Sequence, residues 1–345
     1  MNTDLHIKNR AVLLANLGSP DEPNENSVRQ YLDQFLMDPK VIQLPWLLRR
    51  LIVSLLVLPK RPKASAHAYQ SIWWPEGSPL IVLSRRLQQA LQAMLPMPVA
   101  MAMRYGKPSI ESALVKLAEN SDIEEVLFVP LYPHFADSTV QTSIDEARQV
   151  IEKRDLKFTL RIQTPFYQQD DYIQALLDSA EEALNSEYDH LLFSYHGLPE
   201  SHLKTADPTG QHCMSSPDCC QRASPAHASC YRHQVLATTQ AFVDKANIPR
   251  DKYSIAFQSR LGRAKWLDPY TEESLKTLAN KGVKNLLVMC PAFVTDCLET
   301  LEEIGIRGEE IFKEAGGTSL RLVPCLNDHP AWVRTLANWC ESPGV

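Results

Sequence analysis

The chain has 345 residues, of which 44% are hydrophobic and 22% are charged, and its formal net charge is −6 at pH 7. This length predicts two domains or one large α/β unit. The acidic balance excludes a broad basic surface, so nucleic acid is not expected as the main partner. The first residues lack the pattern of a signal peptide, so a cytoplasmic protein with reduced cysteines is expected.

Short apolar runs alternate along the chain with longer stretches of helical period. The runs are rich in Leu, Val and Phe without polar alternation, as in parallel strands that are buried on both faces. The predicted strands are 11–17, 125–131, 158–163, 190–195, 254–258, 285–290 and 319–325. The predicted helices include 27–37, 82–94, 140–153, 170–185 and 298–315. This alternation is typical of a doubly wound α/β fold.

Two pairs of segments resemble each other within the chain. LLANLGSP resembles LLFSYHGLP, and each is an apolar strand that runs into a Gly–x–Pro turn. VLFVPLYPHFADS resembles LLVMCPAFVTDC, and in each a strand meets Pro, an aromatic residue and Asp before a helix. Two similar Rossmann-like halves explain both resemblances. Neither half carries G-x-G-x-x-G or a P-loop, so no nucleotide site is predicted.

The segment 44–63, LPWLLRRLIVSLLVLPKRPK, is strongly apolar. Its longest uncharged run, 51–59, is too short to span a bilayer, because about 20 apolar residues are needed. Two interpretations remain open, a helix buried beside the core and an apolar lip that rests on a membrane surface. In the second, anionic head groups would meet five cations, namely Arg49, Arg50, Lys60, Arg61 and Lys63.

His196 stands at the end of a predicted strand, in SYHGLPESH. Ligands in folds of this kind bind beyond the carboxyl ends of the strands. A histidine there is suited to accept protons near neutral pH or to bind a metal. The alternative is a histidine that makes only a structural hydrogen bond at a strand end.

Carboxylates follow another predicted strand, in CPAFVTDCLETLEEIGIRGEEI. If a helix begins near Asp296, then Asp296, Glu299 and Glu303 share one face. Such a stripe is suited to bind a hard cation or to pass protons, while Asp296 and Glu299 also fit a helix-capping pair. With His196, Trp266, Tyr132 and the apolar lip, these residues indicate a site for a flat apolar ligand and a metal.

Seven motifs stand in one order along the chain: LLANLGSPDEP, AYQSIWWPEGSPL, AMRYGKPSI, LYPHFADSTVQTS, FSYHGLPESH, FQSRLGRAKWLDPYT and CPAFVTDCLETLEEI. With them the sequence resembles the ferrochelatase family nearly from end to end. The resemblance implies two similar Rossmann-like halves, 1–165 with a C-terminal helix at 328–345, and 166–327. It also implies a lyase that inserts ferrous iron into protoporphyrin IX and releases two protons, the last step of haem biosynthesis.

The resemblance assigns roles to individual residues. His196 matches the histidine proposed to accept the pyrrole protons and to meet the metal. Glu299, also a candidate ligand of the iron, and Glu303 match an acidic path that relays protons or metal. The side from which iron enters remains open. Residues that match the lining or support of the porphyrin pocket are Arg104, Tyr105, Tyr132, Trp266 and Phe293, with Arg104 and Tyr105 facing His196 across the cleft.

Four of the eight cysteines are clustered in the sequence, at Cys213, Cys219, Cys220 and Cys230. The segment 205–233 that contains them is rich in Ser, Pro, Ala and His, and such a loop needs a stabilising element. It resembles the internal cysteine-rich segment with which some bacterial ferrochelatases hold a [2Fe–2S] cluster, which needs four thiolates. The alternatives are free thiols, or zinc with a thiolate replaced by one of His212, His227 and His233.

An animal-type cluster is not expected, because Asp137 stands where animal members have a cysteine and the C-terminal end carries only Cys340. The expected partners are protoporphyrin IX and Fe²⁺. The chain is expected to be a monomer or homodimer, attached peripherally through 44–63 to the inner face of the cytoplasmic membrane. Two other functions remain open, a chelatase for another tetrapyrrole or metal and a haem- or iron-sensing binding protein.

Overall fold

The computed structural model describes residues 9–260, 262 and 264–341. Within them, contacts divide the chain into two compact units. The first unit comprises residues 9–132, 137–164 and 327–341, and the second comprises residues 133–136 and 165–326. The ends of the predicted halves, at 1–8 and 342–345, lie outside the described residues.

The first unit contains a four-stranded parallel sheet in the order β2-β1-β3-β4. Its strands are β1 Arg10–Gly18, β2 Val99–Tyr105, β3 Glu125–Pro130 and β4 Thr159–Ile162. Its α-helices are α1 Glu25–Leu36, α2 Trp46–Ile52, α3 Arg61–Ile72, α4 Pro79–Met94, α5 Ile110–Ala118, α6 Thr142–Arg154 and a C-terminal helix, Pro330–Glu341. A π-helical segment, Val53–Val57, follows α2, and a second one, Asp137–Gln141, precedes α6.

The second unit repeats this arrangement, with a parallel sheet in the order β6-β5-β7-β8. Its strands are β5 His190–His196, β6 Tyr253–Gln258, β7 Asn285–Met289 and β8 Ser319–Leu322. Its α-helices are α7 Asp170–Leu184, α8 Glu200–Thr205, α9 Tyr231–Ala246, α10 Thr271–Asn280, α11 Leu298–Leu301 and α12 Glu309–Glu314. A π-helix, Glu303–Gly308, separates α11 from α12, and short 3₁₀ turns lie at Cys219–Gln221, Pro225–Ala228 and Arg250–Lys252.

The two sheets confirm the predicted α/β fold with two similar Rossmann-like halves. LLANLGSP contributes to β1 and LLFSYHGLP to β5, and each is the first strand of its sheet and lies between the second and third strands. The other similar pair of segments supplies the third strands, β3 and β7. Both faces of these central strands are covered, since residues 11–15 and 191–193 are almost completely buried. The Val, Leu and Phe side chains among them each stabilise the fold by about 1.5–3 kcal/mol.

Two sequence-based expectations differ from the structure. Strand β2, VAMAMRY, was not predicted, because its alternation of Ala with Met lacks the Leu, Val and Phe run of the other strands. The predicted continuous helix 298–315 is wrong, because the chain widens into a π-helix in which the Arg307 N–H donates to the carbonyl of Glu302. Gly308 accommodates this turn, since an added Cβ would lie 3.1 Å from the Glu303 carbonyl oxygen.

The end of β1 depends on a glycine. Gly18 has a φ of 116°, and a Cβ there would lie 1.7 Å from the carbonyl oxygen of Tyr105 in the neighbouring strand. We predict that Gly18→Ala lowers the free energy of unfolding by more than about 3 kcal/mol, because backbone strain and a backbone clash add together. The measurement is the urea midpoint of the purified variant.

Gly77→Ala is the matched control, since Gly77 has a φ of 125° and no atom within 4 Å of the added Cβ. It carries the strain without the clash, so we expect a loss of about 1–2 kcal/mol. Equal shifts of the urea midpoint in the two variants would contradict the prediction.

Candidate active site

His196 is the last residue of β5 and is half-buried. Its Nδ1 lies 2.6 Å from the carbonyl oxygen of Gly197. Because a carbonyl oxygen only accepts hydrogen bonds, Nδ1 carries the proton and the neutral ring keeps its lone pair on Nε2. The local backbone therefore fixes the tautomer in which Nε2 is a base.

Two aromatic side chains flank this imidazole. The ring centroid of Trp266 lies 6.4 Å from that of His196, and the ring centroid of Phe293 lies 6.2 Å from it. Trp266 is brought there by a β-bridge with Pro199. Gly197 allows the close approach, since an added Cβ would lie 3.3 Å from the Trp266 ring. The three predicted residues therefore form one cluster of a base and two apolar faces.

The backbone of His196 is anchored from the cysteine-rich segment. The hydroxyl of Tyr231 donates to the His196 carbonyl oxygen at 2.8 Å. Burial raises the pKa of Tyr231, so its hydroxyl stays protonated and keeps donating. Tyr231 directly follows Cys230, and no motif in the sequence marks it as a site residue.

Glu299 and Glu303 lie half-buried in the segment after β7. Hydrogen bonds connect both of them to residues at the end of β6 and directly after it. The side-chain amide of Gln258 donates to the carbonyl oxygen of Glu299 at 2.6 Å. The N–H of Ser259 donates to Glu303 Oε1 at 2.8 Å, and its hydroxyl donates to Glu303 Oε2. Gln258 and Ser259 were not identified as site residues, although polar residues directly after an apolar strand are the signal that pointed to His196.

A third carboxylate, Glu302, adds to this acidic group. Partial burial raises its pKa, Arg307 opposes the shift, and the neighbouring carboxylates Glu303 and Glu299 add to it. A carboxyl group whose pKa is raised keeps a proton more readily than an ordinary glutamate, which suits it to exchange protons. The acidic group is therefore larger than the sequence pattern predicted.

Asp296 does not belong to this group. Its buried carboxylate accepts hydrogen bonds from the Thr300 hydroxyl at 2.8 Å and from the Cys325 N–H at 3.2 Å. The residue that caps α11 is Cys297, whose sulfur accepts from the Thr300 N–H. The expectation that Asp296 shares a helix face with Glu299 is wrong, because the helix begins at Leu298 and the capping pair is shifted by one residue.

In the first unit, Arg104 and Tyr105 end β2 and share a buried partner, Asp38. Its carboxylate accepts from Arg104 Nη2 at 2.8 Å, from the Tyr105 hydroxyl at 2.8 Å and from the Thr142 hydroxyl. Burial raises the pKa of Tyr105, and the charge of Asp38 adds to the shift. Tyr132 is also buried, which raises its pKa. Nothing in the surrounding FLMDPKV sequence marked Asp38.

The segment 44–63 is buried at Arg49, Val53, Leu58 and Pro62, but most of its apolar side chains are exposed, so the interpretation of a core helix is wrong. Leu47, Leu55 and Leu56 are 66–69% exposed. Further exposed apolar side chains nearby are Leu44, Trp46, Leu48 and Leu51. We call these seven side chains the apolar lip. Among the described residues, no helix is long and apolar enough to cross a membrane.

The five cations of this segment fall into two groups. Arg49 is buried and donates to the carbonyl oxygens of Ile42 and Leu44, and Arg50 forms an ion pair with Asp33 at 2.6 Å. The expectation that Arg49 faces a membrane surface is therefore wrong, whereas Arg50 is partly exposed and paired within the chain. The remaining cations, Lys60, Arg61 and Lys63, are exposed beside the apolar lip.

The four cysteines of the cysteine-rich segment come together, and all are buried. The sulfur atoms of Cys219 and Cys220 are 4.0 Å apart, and the Cys230 thiol is hydrogen-bonded to those of Cys213 and Cys220. Hydrogen bonds from Cys220 and from the His233 N–H lower the pKa of Cys230 to about 6, against the effect of burial. One member of the group therefore ionises readily. Among the described residues, no three His, Cys, Asp or Glu side chains converge on a point suited to a single metal ion.

A buried aspartate orders the start of this segment. Burial opposes ionisation of Asp207, but hydrogen bonds donated by the Cys213, Thr209 and His212 backbone and by the Thr209 hydroxyl outweigh it and lower its pKa. Two of the three histidines of this segment bond to backbone carbonyls, while Nε2 of His227 is buried without a hydrogen-bond partner. Nε2 of His212 bonds to the Cys219 carbonyl at 2.8 Å, and Nδ1 of His233 bonds to the Cys220 carbonyl at 3.0 Å.

Comparisons with known proteins agree with this architecture. A model of the family described as Ferrochelatase matches residues 9–343. The chain is 58% identical over 340 residues to a ferrochelatase of Azotobacter vinelandii, covering 98% of this chain and 100% of that protein. It is 58% identical over 338 residues to a ferrochelatase of Pseudomonas entomophila, covering 97% and 100%.

Among solved structures, SirB from Bacillus subtilis with Fe³⁺ has the same fold, with a TM-score of 0.53 at 12% identity over 95% of this chain and 93% of that one. A sirohydrochlorin chelatase SirB from Bacillus subtilis subspecies spizizenii in complex with cobalt gives a TM-score of 0.52 over 95% and 92%. At 12% identity these two similarities concern the fold alone. The 58% identities with the two ferrochelatases extend along nearly the whole sequence. The chain belongs to the ferrochelatase family.

Proposed function

We propose that this chain is a lyase that inserts ferrous iron into protoporphyrin IX and releases two protons, with His196 as the base. The observation that carries the assignment of the base is the fixed tautomer, in which Nε2 is free to accept while Nδ1–H donates to the Gly197 carbonyl. When Nε2 takes a proton, that same carbonyl stabilises the imidazolium. A base of this kind contributes about 10²- to 10⁴-fold to a rate.

Two protons leave each porphyrin, and one imidazole holds only one of them at a time. The first must therefore leave His196 before the second is accepted. We assign that relay, and the approach of iron, to Glu299 and Glu303, with Glu302 as an additional proton carrier. Carboxylates suit both tasks, because they accept protons and can replace the water around an incoming divalent cation.

The porphyrin is assigned to the apolar faces around His196. Phe293 and Trp266 offer aromatic surfaces on which a flat macrocycle can stack. Arg104, Tyr105 and Tyr132 are assigned to the porphyrin-binding wall of the first unit. Since Tyr105 is buried and bonded to Asp38, its contribution is to hold the end of β2 and the Arg104 side chain in place.

We further propose that Cys213, Cys219, Cys220 and Cys230 hold a [2Fe–2S] cluster. Such a cluster takes two thiolates on each iron, so it needs no three side chains around one ion. Four buried thiols, one with a lowered pKa, fit this donor set. Zinc with a histidine ligand is less favoured, because His212 and His233 already bond to backbone carbonyls. When bound, the cluster would supply a structural or regulatory cross-link.

The chain is also proposed to work in the cytoplasm, attached peripherally to the inner face of the membrane. The apolar lip is the contact surface, because transfer of each exposed leucine from water into lipid is favourable. Exposed Lys60, Arg61 and Lys63 add attraction to anionic lipid. This contact would place the enzyme where its apolar substrate and product dissolve.

The base is tested by His196→Ala in anaerobic assays with ferrous iron and protoporphyrin IX. We expect kcat to fall about 10²- to 10⁴-fold, because no other group replaces the lone pair of Nε2. Porphyrin binding, followed by fluorescence, should persist. His190→Ala is the control, because His190 lies at the other end of β5 and bonds to Ser254. Wild-type protein that bound porphyrin tightly but formed no haem would contradict the proposed function.

The cluster is tested on protein purified without oxygen, by its visible spectrum and by assay of iron, sulfide and zinc. We expect about two irons and two sulfides per chain and bands that bleach with dithionite. Cys213→Ser should lose the bands, while Cys340→Ser, which changes a buried thiol of the first unit, should keep them. Stoichiometric zinc, or fully active protein without metal, would refute the cluster.

The lip is tested by flotation with vesicles of phosphatidylethanolamine and phosphatidylglycerol. Leu55→Glu combined with Leu56→Glu should weaken binding at least about tenfold, because two apolar contacts become charges that lipid repels. The control is Met94→Glu, which changes an exposed apolar residue at the end of α4. Equal binding of all three proteins would exclude the lip as the contact surface.

A further inference from the structure

Ser259 has a backbone conformation that is uncommon for a residue with a side chain. Its φ is 66°, in the left-handed region, which such residues occupy at a cost. Four other described non-glycine residues lie in this region. Asp155 and Asn247 end helices α6 and α9, where a left-handed residue is the ordinary cap, and Met214 and Asn327 lie in turns. Ser259 instead follows strand β6, so helix capping does not explain it.

The unusual backbone directs two donors at one carboxylate. The Ser259 N–H donates to Glu303 Oε1 and its hydroxyl to Glu303 Oε2, so both oxygens of the side chain are held. The preceding residue, Gln258, donates to the carbonyl oxygen of Glu299. Gln258 thus binds the backbone of Glu299, and Ser259, the next residue, binds the side chain of Glu303.

We propose that Ser259 is the positioning residue for Glu303, and that its strained backbone is retained for this purpose. The inference rests on the relay role proposed for Glu303. A proton passes between two groups only across hydrogen-bonding distance, and a free glutamate side chain samples many rotamers. The two Ser259 donors, one to each carboxylate oxygen, select one rotamer of the Glu303 side chain. Arg307, four residues further on, lies 3.8 Å from Oε1 but is 46% exposed, so it constrains the carboxylate less.

A structural alternative predicts a different result. If Ser259 only attaches the π-helix to the sheet, its loss should lower stability and leave the turnover of the folded fraction unchanged. If it positions Glu303, its loss should lower kcat for iron insertion and should do so only while Glu303 is present. A double-mutant cycle separates these cases, because coupled residues give non-additive effects.

The cycle consists of Ser259→Ala, Glu303→Gln and the double variant, assayed anaerobically with ferrous iron and protoporphyrin IX. We expect Ser259→Ala to lower kcat about tenfold, the worth of a hydrogen bond to a charged group, with little change in KM for the porphyrin. In the Glu303→Gln background the same substitution should change kcat less than about twofold. Thermal unfolding of each variant reports the folded fraction.

The control is Ser254→Ala. Ser254 lies near the start of β6, at the end of the strand far from Ser259, and its hydroxyl bonds to His190. It should keep kcat. Ser259→Gly is the second variant, because glycine adopts the left-handed backbone without strain and keeps the N–H donor. It should be at least as well folded as Ser259→Ala and still turn over more slowly than wild type.

The outcomes separate the two hypotheses. If Glu303→Gln has the wild-type kcat, the relay role of Glu303 is wrong and the inference falls with it. If Glu303→Gln lowers kcat but both Ser259 variants keep it, the inference alone is overturned. Effects that multiply in the double variant overturn it as well, because Ser259 would then act independently of Glu303.

Discussion

The chemistry of the second unit depends on parallel strands that end at the same edge of a sheet. β5 lies between β6 and β7, and the register pairs His196 of β5 with Gln258 of β6. The Gln258 side chain then reaches the Glu299 carbonyl, in the segment that follows β7. His196, the proposed base, and the backbone of Glu299 are therefore connected through Gln258 of the sheet. Sheet geometry limits changes in their spacing more strictly than loops would.

The cysteine-rich segment is physically connected to this arrangement. Cys230 is the last cysteine of the segment, and Tyr231, which directly follows it, donates to the carbonyl oxygen of His196. A cross-link that includes Cys230 would fix the start of α9, and with it the donor to the backbone of the base. Disorder in the segment would release that donor and leave a buried tyrosine hydroxyl without a partner, which costs about 1–3 kcal/mol. A group held by these thiols thus has a direct structural route to the active site without taking part in the chemistry.

Periodicity and motif order were sufficient for the fold and for the position of His196. Apolar runs mark central strands wherever both faces are buried, and polar residues after such runs mark the edge at which ligands bind. The sequence could not supply contacts between distant residues. Ser259 and Glu303 are 44 positions apart, and Tyr231 and His196 are 35 apart. The predicted helix-capping residue, Asp296, was wrong by one position, because Cys297 occupies the capping position that an aspartate usually fills.

The thiols of the second unit occupy two environments, and the difference matters for an enzyme whose substrate is iron. Burial raises the pKa of Cys290, Cys297 and Cys325, so these thiols near the carboxylates stay protonated. A protonated thiol is a poor ligand, because metals bind the thiolate. On the path proposed above, iron that moves along Glu299 and Glu303 would meet oxygen donors, from which it exchanges readily, rather than thiolate donors that would retain it. The lowered pKa of Cys230 has the opposite effect in the cysteine-rich segment, where iron would be held permanently. If both proposals hold, the placement of hydrogen-bond donors, more than the number of cysteines, would separate the substrate iron from the iron of the cluster.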